Sequence, residues 1–242
     1  MLVSDVMTRK VVAIGPDTPI RDVQALMEQR NIRHFPILQT RSSSEPDALI
    51  GIVSDRDVRL VGADHPRAPA GVTSADPISK LMVYPVLTAH PEDPIEETAK
   101  VLRENKIGAM PVMDEGRLVG IVTGIDMLDA LVRMSGVYEA ASRLEVEVAN
   151  RPGALAELLR HVASRNVNVS SVMTTRGDPD TVSFILRVST VDGHGLARYL
   201  RSQGFSVPWP PVPSTGQAAQ GRGPADSDHV PADPVGGSDA KA

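Results

Sequence analysis

Cysteine is absent from all 242 residues, which removes disulfides, thiol catalysis and cysteine-ligated metals together. Aromatic residues are scarce at 3%, and the single tryptophan, Trp209, falls in a proline-rich stretch. No uncharged apolar run approaches the roughly 18 residues that a membrane-spanning helix needs. Met1-Leu2-Val3-Ser4-Asp5 leads straight into patterned sequence, leaving no basic-then-apolar stretch of the signal-peptide type. Positive charge is thin too: 25 Lys and Arg stand against 30 Asp and Glu, for a net charge of −5. Non-specific binding to nucleic acid requires dense phosphate neutralisation, so no nucleic-acid partner is expected. The six histidines, at 34, 65, 90, 161, 194 and 229, show no metal-ligand spacing. Neither a glycine-rich phosphate loop nor a nucleophile elbow is present. The expectation is a cytoplasmic, non-catalytic protein with no catalytic residue, no metal, no catalytic cofactor and no membrane contact.

What the chain does contain is a repeat. Gly51-Ile52-Val53-Ser54-Asp55-Arg56-Asp57 is answered by Gly120-Ile121-Val122-Thr123-Gly124-Ile125-Asp126, a shift of 69. Upstream, Met7 answers Met82, Pro16 answers Pro91, Pro19-Ile20 answers Pro94-Ile95 and Pro36 answers Pro111, all at a shift of 75. The first copy therefore carries six extra residues, within the polar stretch Thr40 to Asp47, where a longer loop costs little. A repeat of this length indicates two units that bury their cores together.

Each copy reads strand, helix, strand, strand, helix. Val11 to Ile14 is a short apolar strand. Thr18 then makes an N-cap with Pro19 at the first helical position, and Ile20, Val23, Leu26 and Met27 share one face. In the second copy Glu96 stands at the capping-box position after Asp93, and Ile95, Thr98, Val101 and Leu102 form the face. Phe35 to Leu38 and Met110 to Met113 read as strands that their prolines confine to an edge. Ala48 to Ser54 and Arg117 to Thr123 feed helices placed after Asp57 and Asp126. Downstream, Leu144, Val146 and Val148 alternate with Glu145 and Glu147 as a half-buried strand. Asn150-Arg151-Pro152-Gly153 opens a helix with Leu155, Leu158, Leu159 and Val162 on one face. Strands at 167–169, 182–188 and 205–207 and a helix over 196–200 complete a β-α-β-β-α-β unit.

The fold class read from this pattern is α+β: two β-α-β-β-α repeats, then a ferredoxin-like unit. The boundaries are 1–61 for the first repeat, 62–76 for a linker, 77–134 for the second repeat, 135–142 for a second linker and 143–207 for the last domain. Residues 208–242, rich in Pro, Gly, Ala, Asp and Ser, have too little apolar surface to fold and read as a disordered tail.

These residues resemble a tandem CBS pair, or Bateman module, followed by an ACT domain, the order of the AcuB family of acetoin-utilisation proteins. The resemblance covers about residues 1–207. It implies two repeats related by a pseudo-two-fold axis, with two clefts for adenine nucleotide held as a regulatory ligand. Carried over by motif, Ser54 and Thr123 would offer hydroxyls and helix-start amides to phosphate. Asp57 and Asp126 would accept both hydroxyls of a ribose. Adenine would lie against Val11, Val12, His34 and Phe35 in one site, and against Val86, Leu87, Ala109 and Met110 in the other. Arg56, answered by Ile125, and Arg33, answered by Gly108, would make the first site the one for phosphorylated ligands. In the ACT domain the resemblance implies an amino-acid-like effector at Asn150, Gly153, Leu155 and Asn168. A homodimer and a regulated enzyme partner are the other expected partners.

Each of these residues also has a plainer reading. Ser/Thr-x-x-Asp at a helix start is an ordinary cap, and both roles can hold at once. Arg56 can be a solvated surface arginine, His34 a neighbour of Phe35, the Asn150 loop a turn, and Met110 core filler. The rival functions are a structural dimerisation module with empty clefts, and a regulatory subunit of a separate catalytic chain.

Overall fold

The computed structural model describes residues 1–41, 46–63, 65–175 and 178–212. The six-residue insertion falls partly at 42–45, outside the described residues, as do residues 213–242 of the tail expected over 208–242.

The first repeat comprises α2 (Ile20–Arg30), β1 (His34–Gln39), β2 (Ala48–Ser54) and α3 (Asp55–Arg59). The second comprises α4 (Ile95–Asn105), β3 (Ala109–Asp114), β4 (Arg117–Thr123) and α5 (Gly124–Met134). In each, the two strands form an antiparallel hairpin. The strands expected before α2 and α4 shrink to single bridges, Ile14 beside Ile37 and Ala89 beside Val112. Ile20, Val23 and Met27 enter a core with Phe35, Ile37, Val53 and Val58. Leu102 joins Met110, Val112 and Val122 in the core of the second repeat.

Each core is completed from the other half of the chain. A short N-terminal helix, α1 (Val3–Val6), places Val3 and Met7 in the core of the second repeat. The 3₁₀ turn Ile78–Lys80 places Ile78 in the core of the first. The exchange obeys the 75-residue shift bond for bond. Val3 N–H donates to Asp93 O and Ser4 N–H to Pro91 O, while Ile78 N–H donates to Thr18 O and Ser79 N–H to Pro16 O. Thr8 bridges Ile121 as Val83 bridges Ile52.

This exchange explains why the expected helix caps do not form. Pro19 and Pro94 are themselves the N-cap residues, with no side-chain cap. Ile20 N–H donates to Asp76 O and Arg21 N–H to Ser74 O, while Ile95 N–H donates to Met1 O. Backbone carbonyls from the exchanged arm satisfy the orphan amides that Thr18 or Asp93 would otherwise serve. Thr18 instead donates to Gly15 O, and Asp93 accepts from His90 N–H.

The last unit holds β5 (Ser142–Ala149), α6 (Ala154–Ser164), β6 (Val169–Thr175), β7 (Thr181–Val188), α7 (Gly193–Ser202) and β8 (Ser206–Trp209). Its sheet has the order β6-β7-β5-β8. Leu144, Val146, Phe184 and Leu186 face Leu158, Val162, Leu196 and Leu200 of the two helices. The strand β8 runs past the expected boundary at 207, since Trp209 pairs with Glu145. Arg201 holds this end by donating to Val207 O and Pro210 O, so Pro208 and Trp209 belong to the sheet.

Candidate functional site

The two hydroxyl–carboxylate pairs sit where β2 and β4 end. Ser54 and Thr123 are the N-caps of α3 and α5, and each forms a complete capping box with the aspartate three residues on. Asp57 Oδ2 accepts from Ser54 N–H at 3.0 Å and from the Ser54 hydroxyl at 2.6 Å. Asp126 Oδ2 accepts from Thr123 N–H and the Thr123 hydroxyl, both at 2.7 Å. The helices thus begin at 55 and 124, before the aspartates and not after them, and both carboxylates lie in the first turn. The cap role is realised in both copies. It engages one carboxylate oxygen of each aspartate, and Oδ1 has no partner among the described residues.

Around these matched centres the repeats differ. Arg56 is exposed and makes no ion pair among the described residues; its counterpart Ile125 is 63% exposed. α3 is five residues long and α5 eleven. Gly62, in the left-handed region at φ 76°, lies just beyond the end of α3, whereas α5 continues through Leu128, Ala130, Leu131 and Arg133, all good helix formers.

Among the expected adenine contacts, His34 pairs with Ser54 across the hairpin and shares its face, while Phe35 pairs with Val53 on the other. Phe35, Ala109 and Met110 are buried, so only their backbone can meet a ligand, contrary to the side-chain contacts expected from the motif; strand position alone does not say which face is the core. Val12 is half-buried against the first core, and Leu87 is exposed. A depression of about 490 Å³ is lined by Val86, Tyr84, Thr88, Asp47 and Met113, away from Thr123 and Asp126. Burial pushes the His34 imidazole below the ordinary histidine value, against the opposing pull of Asp55 and Asp57 and with the help of Arg33 and Arg56. Sequence reasoning missed Gly108 as a contact. It lies against the His34 ring from the other repeat, and its only signal was the replacement of an arginine by a glycine at matched positions.

In the last domain, Asn150, Gly153 and Leu155 line one depression of about 410 Å³, with Ala149, Ala154, Val182 and Phe184. Gly153 caps α6 in the left-handed region at φ 85°, without a side-chain cap, as glycine permits. Asn150 donates its amide to Pro179 O, and Arg151 is tied to Glu157 at 2.6 Å. Asn168 does not belong here. Helix α6 carries the chain back along the sheet, so Asn168 meets Ser189, about 23 Å of strand from Val182. No group of three or more His, Asp or Glu able to hold a metal occurs among the described residues. No helix among them is long and apolar enough to cross a membrane.

The CBS domain family model matches residues 3–64 and 78–133, and the ACT domain model matches residues 142–198. A CBS domain-containing protein of Dictyostelium discoideum is 30% identical over 143 residues, covering 55% of this chain and 93% of that protein. Inosine-5'-monophosphate dehydrogenase of Thermoplasma acidophilum is 32% identical over 124 residues, covering 51% of this chain but 22% of the enzyme. The crystal structure of a protein assigned to acetoin utilization (AcuB) in Vibrio cholerae is 27% identical, with a TM-score of 0.46, over 59% of this chain and 98% of that one.

Proposed function

The chain belongs to the CBS-domain family, with a tandem CBS pair followed by an ACT domain, and from that membership we propose a non-catalytic regulatory sensor that binds an adenine nucleotide of the AMP, ADP or ATP type. One observation carries the reading. In both copies a carboxylate is pinned at the start of a helix by one oxygen, leaving the other to accept from a ribose. A pinned acceptor has little side-chain freedom left to lose on binding. The phosphorylated ligand belongs in the Asp57 cleft, beside Arg33 and Arg56. The Asp126 cleft, with Gly108 and Ile125 at those positions, is weaker, adenosine-like or vacant.

The ACT depression takes an amino-acid-like effector. Its walls are mostly apolar, and the α6 N-terminus that opens onto it has no side-chain cap; Ala154 N–H donates to Arg151 O, which leaves the Leu155 and Ala156 amides for a carboxylate. Domain order alone links the protein to acetoin utilisation. Either ligand would act by favouring one arrangement of the chain, by no more than its difference in affinity for the two arrangements.

The same protein forms a homodimer through α5. Ile125, Leu128, Leu131 and Met134 are 52% to 63% exposed, and among them Leu128 and Leu131, one helical turn apart, share a face. In a two-fold antiparallel pair Leu128 would meet the other Leu131, a self-complementary contact.

Thermal shift and calorimetry with AMP, ADP and ATP test the nucleotide reading. A ligand at 100 times its Kd stabilises by about 2.7 kcal/mol, so at least one nucleotide should raise the melting temperature by several degrees. Asp57→Ala should abolish most of that binding and Asp126→Ala much less. Equal losses would refute the assignment of clefts, and no shift with any nucleotide would favour the purely structural dimer.

A further inference from the structure

We propose that His34 is the residue through which the two clefts communicate, a single side chain of the first repeat wedged against the helix-start machinery of the second. This rests on the nucleotide reading for its consequence, though not for its geometry.

His34 opens β1 on the face of Ser54, within the electrostatic reach of Asp55, Asp57, Arg33 and Arg56. Its ring crosses to the second repeat. A Cβ built on Gly108 would stand 2.7 Å from His34 Nε2 and 2.9 Å from Cε1, so the space where residue 108 would carry a side chain is filled by this imidazole. Gly108 is itself part of the second cleft's frame: its carbonyl accepts the N–H of Gly124, the first residue of α5, at 3.1 Å. The matching bond in the first repeat, from Asp55 N–H to Arg33 O, is 2.9 Å. His34 therefore lies between the two helix starts that carry Asp57 and Asp126.

The contact is one-sided, although any coupling it carries is reciprocal. The counterpart of His34 is Ala109, a buried methyl group, and the counterpart of Gly108 is the exposed Arg33. No side chain of the second repeat reaches back at the matched position. A ligand phosphate drawn to Arg33 and Arg56 would also attract the His34 ring. Drawing the ring off Gly108 would open the space beside the Gly108–Gly124 bond, so occupancy of the Asp57 cleft changes the Asp126 cleft. The charges that face the ring are Arg33, just before β1, and Asp55, Arg56 and Asp57 of α3; Gly108 brings none from the second repeat.

Two measurements on the full chain decide the matter. The first needs no ligand. Gly108→Ala should evict the ring into water, and the His34 imidazole, followed by NMR, should titrate higher than in the wild type, towards its ordinary value of 6.5. The second is calorimetry with AMP on the Asp126→Ala background, where only the Asp57 cleft is intact. There Gly108→Ala, although in the other repeat, should change the AMP affinity by about threefold or more, and this effect should vanish once His34→Ala is added, as coupled sites require. An unmoved titration, or additive effects on affinity, would overturn the inference while leaving nucleotide binding in place. Failure of AMP to bind the wild-type protein would sink the nucleotide reading and the communication together.

Discussion

At the scale of single residues, the two aspartates show how a cap can leave a carboxylate oxygen to spare. A capping box uses one carboxylate oxygen and leaves the second, so the structural role at Asp57 and Asp126 is compatible with the proposed ligand role. Asp76 is a residue with a structural role only. It accepts from Lys80, from Thr73 N–H at 2.7 Å and from the Thr73 hydroxyl at 2.8 Å. These bonds, that from Lys80 first, lower its carboxyl from 3.8 to about 2. A carboxylate with a lowered value favours the folded state above its unfolded value and loses that contribution as the pH falls through the folded one. Between about pH 4 and pH 2 the wild-type protein should therefore lose stability more steeply than Asp76→Asn, as followed by acid titration of circular dichroism. Parallel curves would show that the turn bearing Asp76 does not contribute.

Among elements, the exchanged arms and α5 decide most. The arms cross the hairpins so closely that residues 51 and 120 have no room for a side chain. A Cβ at Gly51 would meet Met82 Sδ at 2.6 Å, and one at Gly120 would meet Met7 Sδ at 2.5 Å. Overfilling such a contact costs about 1–3 kcal/mol. Gly120→Ala should lower the melting temperature by several degrees, and on a Met7→Ala background, itself destabilised by the loss of a core side chain, the same substitution should cost less; an equal cost in both backgrounds would mean that the arm is not the obstacle. For the α5 dimer proposed above, replacing both Leu128 and Leu131 with glutamate would put like charges face to face across the two-fold. Sedimentation should report a dimer for the wild type and a monomer for this variant, with the helical content unchanged; a monomeric wild type would refute the pairing.

For the whole molecule, the question is how the CBS pair is joined to the ACT domain. The helix α5 ends against the ACT sheet. The Ser171 hydroxyl donates to Met134 O at 3.0 Å, Ser135 and Gly136 are buried, and Gly136 lies at φ 66° with Ser171 Cβ 3.3 Å from where its own Cβ would stand. An alanine there is both crowded and in a conformation costing about 1–2 kcal/mol. Gly136→Ala should loosen the joint, so that trypsin cuts at Arg133 or Arg143 faster than in the wild type while the overall melting temperature changes little. Unchanged cleavage would show that the joint tolerates a side chain at 136.

The amino-acid sequence was sufficient for the repeat, the hairpins and the order of elements, because these depend on local alternation and on residues that recur at constant shifts. Strands β2 and β4 have the bounds read from the sequence, and the aspartate pairs stand in matched positions. Tertiary structure alone decided which half of the chain completes which core, and therefore why backbone carbonyls from the arms replace the expected caps at Thr18 and Asp93. It also decided that Phe35 and Met110 face inward while His34 shares the face of Ser54, that Asn168 lies at the far end of the sheet from Asn150, and that a ring from the other repeat fills the space where residue 108 would carry a side chain. Each of these depends on contacts between residues distant in the chain, where neither periodicity nor spacing carries the information.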